Sequence, residues 1–210
     1  MQRSVSLPLA AALVAALLFA VSVAGFGALY EGFSNLRHPV AALGASGVPH
    51  ALAFNMLAFV VPGLLAVFAL QALRARMGQA RFVARLGVQS MTIAALAFAA
   101  FGLLPLDSSD LLAAASRAHA ATWTLWWVAF VAGAAMLGIG MRGTRHASRS
   151  WMVFAYALAT LLFALILPGL VPVGLSQRVA FAAWFVATIL CAPPSRGAAS
   201  ARGSSPTDPA

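Results

Sequence analysis

The chain has 210 residues, 62% hydrophobic and 8% charged, with a formal net charge of +9. A mean hydropathy of +0.93 excludes an ordinary soluble domain, in which about 45–50% of residues are apolar and about 25% charged. The charge does not indicate nucleic acid either: the arginines form no basic domain but punctuate long apolar runs, as cytoplasmic loops of membrane proteins do.

All thirteen basic residues are Arg and Lys is absent. With the heavy use of Ala, this reads as the product of a GC-rich bacterial genome. The single cysteine, Cys191, excludes an internal disulfide framework and a multi-cysteine metal site. No P-loop, strand-linked GxGxxG, HExxH or GxSxG occurs. The composition and motifs name no cofactor.

A helix crosses the hydrocarbon with about 20 apolar residues, and six stretches approach that length. The first runs over Leu7–Tyr30. Its opening, MQRSVSLPLAAALVAALLFAVSVAG, also has the basic start, apolar core and small residues (Ser22, Ala24) of a cleaved signal peptide. Because the apolar run continues to Tyr30, beyond the about 7–15 residues of a signal core, a retained helix is the preferred reading.

The stretch LRHPVAALGASGVPHALAFN, residues 36–55, follows. Pro39 biases His38 toward an extended backbone. VAAL then offers one helical turn that Gly44 ends, Gly47 allows a tight bend, and Pro49 suits the first turn of the second crossing, Ala51–Leu73. A re-entrant cap over helix ends explains the glycines and prolines but not His38, His50 or Asn55. Asn55 falls inside the second crossing, where an unpaired amide is costly, so a hydrogen bond to a neighbouring helix is its simplest role. Pro62–Gly63 predicts a kink.

The third crossing is Phe82–Leu104. In the next stretch, PLDSSDLLAAASRAHAATWTLWW (105–127), Asp107 or Ser108 is placed to cap a helix, with Asp110 in its first turn. That helix is expected to run on into the fourth crossing, Ala118–Met141. His119, Trp123, Trp126 and Trp127 then share one face. An interfacial aromatic belt with core packing explains the tryptophans, and a hydrogen bond to a loop carboxylate or carbonyl explains His119. The small residues of AGAAMLGIG (132–140) are spaced for close helix contact. The fifth and sixth crossings, Trp151–Leu167 and Val171–Cys191, are joined by a Pro/Gly hairpin at Pro168–Gly174, with Arg178 near the membrane face. One transmembrane domain therefore spans 1–191, and the small, polar, Pro-rich segment 192–210 is expected to be a disordered tail.

Arginine placement predicts the orientation. Arg3, the group from Arg74 to Arg85, the group from Arg142 to Arg149, Arg196 and Arg202 make ten on one side. Arg37, Arg117 and Arg178 make three on the other. The positive-inside rule puts both termini in the cytoplasm, and the expected location is the bacterial cytoplasmic membrane. Glu31, Asp107, Asp110 and the histidines His38, His50 and His119 then face outward, while His146 faces in.

Three chemistries are open to the outer groups. Arg37, paired with Arg117 or Arg178, can grip a phosphate or carboxylate bidentately, and the nearby tryptophans suit a phospholipid headgroup whose tails lie along the helices. A plain salt bridge from Arg178 to Glu31, Asp107 or Asp110 is the simpler alternative. His119 and His50, with His38 and Asp107 or Asp110, supply the ligand types of a zinc-like ion. No HxxxH or HxH pair occurs, so such ligands must converge from separate loops. No crossing carries a central acid or base, which disfavours a proton-coupled pump or an ion channel.

Together, LRHPVAALGASGVPHALAFN with its following PGL-containing helix, and FGLLPLD with a histidine a dozen residues on, resemble the domain-of-unknown-function family numbered 998. These are bacterial six-helix membrane proteins with no settled activity. Leu43–Gly44 and Phe54–Asn55 match the family's LG and downstream FN; Pro105, Asp107 and His119 match its P-x-D followed by His. Many members carry an acid ahead of the LG, where this chain has Ala41 and Ala42. The family is more distantly similar to the eukaryotic six-helix group containing the DRAM autophagy modulators and lipid-anchor remodelling factors, which implies a lipid-related role by analogy of fold.

The fold expected is an all-α bundle of six transmembrane helices. The preferred function is a non-enzymatic membrane protein whose outer vestibule binds a lipid headgroup or a partner, with His38, His50, Asn55, Arg37, Arg117 and Arg178 as ligand-binding candidates. The alternative is an interfacial metal-assisted lipid hydrolase or transferase, with His119 and Asp107 as catalytic candidates and His50, His119 and Asp107 as metal candidates. A small-molecule transporter comes third. Membrane lipids, a second copy of the chain and another membrane protein are the partner classes; nucleic acid is not one.

Overall fold

The computed structural model describes residues 5–194. They form six helices long and apolar enough to cross a membrane, and no strand occurs among the described residues. The helices are α1 (Leu7–Leu29), α2 (Ala51–Arg76), α3 (Phe82–Leu103), α4 (Ala114–Gly140), α5 (Ala147–Gly169) and α6 (Val173–Cys191). α4 and α5 begin before the expected Ala118 and Trp151. Hydropathy marks only the apolar part of a helix, and here the first turns carry Arg117 and Arg149.

Each helix packs on the next along the chain, and α6 returns to α1 and closes the ring. Helices that are not neighbours meet through aromatic side chains. Phe98 of α3 stands at the centre, its ring 5.4 Å from Phe185 and 5.5 Å from both Phe59 and Phe181. Phe19 brings α1 into the same cluster, 5.1 Å from Phe181. Most of these pairs meet edge to face, the arrangement the ring quadrupole favours.

α3 and α4 make the closest helix contact. A methyl group on Gly87 would stand 2.6 Å from the Gly133 carbonyl oxygen, and one on Gly133 would stand 2.7 Å from the Gly87 oxygen. The two backbones touch, as small residues permit between helices in lipid. Polar side chains add cross-links: Gln71 Nε2 donates to Thr92 Oγ1 (2.9 Å), Ser90 Oγ to the Ala129 carbonyl (2.8 Å), and Thr160 Oγ1 to the Ala180 carbonyl (3.2 Å).

The prolines within α2 and α5 both follow a widened turn. Met56–Val60 in α2 and Leu162–Ile166 in α5 are π-helical, directly ahead of Pro62 and Pro168. Proline has no N–H to give to the preceding turn and its ring crowds that turn's carbonyl, so the helix widens there. α2 continues through Pro62, whereas α5 ends at Gly169 in the expected hairpin.

The arginines separate the two ends of the bundle. The end formed by the Met77–Arg81 and Met141–His146 turns and the start of α1 holds Arg74, Arg76, Arg81, Arg85, Arg142, Arg145 and Arg149, with no carboxylate among the described residues. Ser6 caps α1 there, accepting from the Leu9 N–H at 3.3 Å and donating to the Pro193 carbonyl at 2.6 Å. Ala192 and Pro193, at the start of the expected tail, are buried; 195–210 lie outside the described residues.

Candidate functional site

At the opposite end, residues 30–50 fold back over the helix ends. Val40–Gly44 form a 3-10 turn whose apolar residues Val40 and Leu43, with Ala45 just beyond it, are buried. Gly47 takes a positive φ of 83° and makes the bend. The cap is held from several directions. The Val40 N–H donates to Gln177 Oε1 at 2.9 Å, the Leu175 N–H to the Leu36 carbonyl at 3.1 Å, and the Ser46 N–H to the Leu106 carbonyl at 2.8 Å. This is the re-entrant cap anticipated from the prolines and glycines.

Asn55 is buried, and its Nδ2 donates to the Gly44 carbonyl at 2.9 Å. Its partner is thus the cap and not a neighbouring helix, because the Val40–Gly44 turn inserts where a helix would otherwise pack. A methyl group on Gly44 would overlap the Asn55 amide, so the glycine both ends the turn and admits the clamp.

The histidines do not converge. His38 is exposed, accepts the Ser34 N–H at Nδ1 (2.9 Å) and lies 5.4 Å from the Phe33 ring. His50 is exposed in the left-handed region, φ 61°, ahead of α2, and its side chain makes no capping bond. His119 is half-buried beside Phe101, with Nδ1 2.8 Å from the Leu104 carbonyl. A carbonyl only accepts, so that nitrogen carries the proton and satisfies a carbonyl left free at the end of α3.

Asp107 is engaged in its own loop. Its Oδ1 accepts from Ser109 Oγ (2.6 Å) and from the N–H groups of Ser109 (2.9 Å) and Asp110 (3.3 Å). The Ser109 hydroxyl and N–H stabilise the charged form and hold the Asp107 carboxyl below its ordinary value of 3.8. Asp110 Oδ1 accepts from the Leu112 N–H at 2.8 Å. Both acids therefore order the turn before α4, and that helix begins later, at Ala114, without a side-chain cap. No group of three His, Cys, Asp or Glu suited to a metal ion occurs among the described residues, so His50, His119 and Asp107 are not brought together.

His119 also borders a cavity of about 20 Å³ with Gln177, Trp123, Phe101 and Phe59. That volume accommodates one water molecule and no substrate. Trp126 is fully buried in the aromatic core and does not belong to a belt, while Trp123 and Trp127 are half-buried against that core.

Arg178 has the most unusual surroundings. It is half-buried near the start of α6. Nη1 donates to the carbonyls of Gly174 (2.8 Å) and His38 (3.2 Å), Nη2 donates to Asn35 Oδ1 (2.8 Å), and the guanidinium lies 5.7 Å from the Phe33 ring centre. All three acceptors are neutral, so the expected salt bridge is not what holds it. Nε is buried without a partner. From Arg178 and Asn35 a groove of about 470 Å³ runs between α1 and α6, walled by Phe19, Val23, Phe185, Val186 and Ile189. Arg37 is exposed within the cap segment that Arg178 binds, and Arg117 is exposed on α4, outside this hydrogen-bond set.

The groove was not foreseen, although Arg178 was. Its walls come from the first and last helices, and a gap between such distant segments leaves no mark in local spacing. The class that emerges is a six-helix bundle of membrane-spanning length, with one capped end and an arginine at the head of an apolar groove. No family model, characterised protein or solved structure matches the chain.

Proposed function

We propose that the chain is a multi-pass protein of the bacterial cytoplasmic membrane, its termini and arginine-rich end inside, whose non-enzymatic role is to hold a phospholipid at its outer face. Arg178 carries the reading. A half-buried guanidinium bonded only to neutral oxygens, with its buried Nε unpartnered, lacks the counter-charge that would offset its desolvation. A lipid phosphate supplies that charge, and its acyl chain fits along the α1–α6 groove that begins beside it.

The test is native mass spectrometry of the full chain purified in mild nonionic detergent. Wild type retains a phospholipid. Arg178→Gln loses it about tenfold or more, the scale of one charge-assisted hydrogen bond. Because Arg178 also braces the cap, Ala182→Trp is the companion variant: it fills the groove, leaves the arginine intact and displaces the same lipid. Equal lipid retention in all three proteins would refute the proposal.

The orientation rests on the arginine asymmetry. A cysteine placed at Ser109 reacts with a membrane-impermeant maleimide in intact spheroplasts; protection until lysis reverses the topology. α1 is read as a retained helix, since its Phe19 packs into the central cluster.

The resemblance to the family numbered 998 belongs to the same proposal. Its paired motifs fall on residues that bond or pack locally: Asn55 of the FN clamps Gly44 of the LG, and His119 bonds Leu104, next to Pro105 of the P-x-D. Such roles are architectural. Geometry for the hydrolase alternative is lacking, because Asp107 and His119 each satisfy backbone groups and the cavity beside His119 accommodates only a water.

A further inference from the structure

A further cavity lies at the other end. It measures about 510 Å³ and opens among the ends of α2, α4, α5 and α6. Its floor is apolar, formed by Leu73, Met77, Leu137, Val153 and Leu190, and its polar border includes Arg76, Arg145, His146, Arg149 and Ser150. Among the described residues, no carboxylate lines it and none occurs at this end.

Protein partners use only part of the arginines' donor capacity. Arg76 Nη1 donates to the Pro194 carbonyl, and Arg149 Nη2 to the Ala192 carbonyl at 3.1 Å. Both acceptors lie just past the C-terminus of α6, where cations are favoured by the helix dipole. Arg145 braces no helix end; its Nε donates to His146 Nε2 at 3.1 Å. Each guanidinium has five N–H donors, so donors remain on all three. Like charges around one cavity repel, and an anion with several oxygens relieves that repulsion while engaging forked donors from separate elements. The volume falls in the usual ligand range of about 300–1,000 Å³. An apolar floor beneath a cationic border selects an amphiphile over a fully hydrated anion.

We infer that this cavity is a second, independent binding site, for a phosphate group carried on an apolar body, and that Arg145, Arg149 and Arg76 grip the phosphate while the body rests on the Leu73–Leu137–Leu190 floor. Two sources share this chemistry: an inner-leaflet lipid headgroup and a soluble phosphate compound. The site is separate from Arg178, and its variants separate the two proposals.

The experiment follows thermal unfolding of the full chain in nonionic detergent during titration with dihexanoyl-phosphatidylglycerol, dihexanoyl-phosphatidylcholine or inorganic phosphate. Phosphatidylglycerol is expected to raise Tm saturably in wild type and in Arg178→Gln. In Arg145→Gln the apparent Kd weakens about tenfold or more. Ala80→Trp, which obstructs the cavity from the Met77–Arg81 turn, abolishes the shift. A shift that requires the acyl chains identifies a lipid headgroup, whereas an Arg145-dependent shift with inorganic phosphate alone identifies a soluble phosphate source. Absence of any shift, or the same shift in wild type, Arg145→Gln and Ala80→Trp, overturns the inference. An Arg145-independent shift lost only in Arg178→Gln assigns the binding to the outer groove and also overturns it.

Discussion

Gly87→Leu is expected to prevent formation of the native bundle. At this position the α3 backbone lies against α4, and even a methyl group would stand 2.6 Å from both the Gly133 oxygen and the Leu137 nitrogen. Those atoms are backbone, so no side chain can rotate away; the helices must separate. Separation would also break the Ser90–Ala129 bond and loosen the contact of Gly140 with Ala84. Overpacking of a tight core costs about 1–3 kcal/mol and sometimes more. Here the cost falls at the upper end, because helix association in lipid depends on close packing without a water-driven hydrophobic gain. Loss of the monodisperse peak in size-exclusion chromatography checks this. Gly25→Leu, at a position with no atom within 4 Å of an added methyl, keeps the peak. Equal behaviour of the two variants would show that α3 and α4 do not approach as described.

Phe98→Ala is expected to have the second large effect. Its ring is fully buried and meets Phe19, Phe59, Phe101, Phe181, Phe185 and Trp184. Removing it leaves a void among side chains from α1, α2, α6 and, through Trp126 at 6.3 Å, α4, as well as the rest of α3, none of which can collapse inward without losing other contacts. Phe→Ala in a soluble core costs about 3–5 kcal/mol. Within a bilayer the packing part of that cost persists while the water-transfer part shrinks, so the low end of the range is expected, measured as a lower Tm in detergent. Phe98→Leu recovers much of it by refilling volume. Unchanged stability in Phe98→Ala would mean that the ring is not the centre of the bundle.

These variants probe packing, which the linear sequence presents only as composition. The small residues of AGAAMLGIG were legible as a contact surface, yet their partner on α3 was not. Nothing local marks Phe98 as more central than Phe82 or Phe101 on the same helix. It becomes central because α3 has helices on most sides.

The polar groups divide in the same way. Asn55 was legible as a buried amide needing a partner, and His119 as an interfacial histidine needing a carbonyl or carboxylate. Which acceptor each finds, Gly44 and Leu104, depends on how far the cap enters the helix ends. The arginines of the other end carried a strong orientation signal, and that signal accounted for all of them at the sequence level. Their second property, encircling a cavity, arises only where the ends of α2, α4, α5 and α6 diverge.

What the sequence determined alone is the one-dimensional part: six apolar runs near their observed limits, the proline and glycine punctuation, the turn at Val40–Gly44 and the unequal distribution of arginine. Each follows from a local rule, such as the length that spans a hydrocarbon layer or the missing N–H of proline. The tertiary structure decided which groups meet. The Val40 N–H and Gln177 lie 137 residues apart, and Arg178 reaches Asn35 across 143. No local preference encodes such pairs; they arise when the ring of helices closes and brings the first loop and the last helix into van der Waals contact.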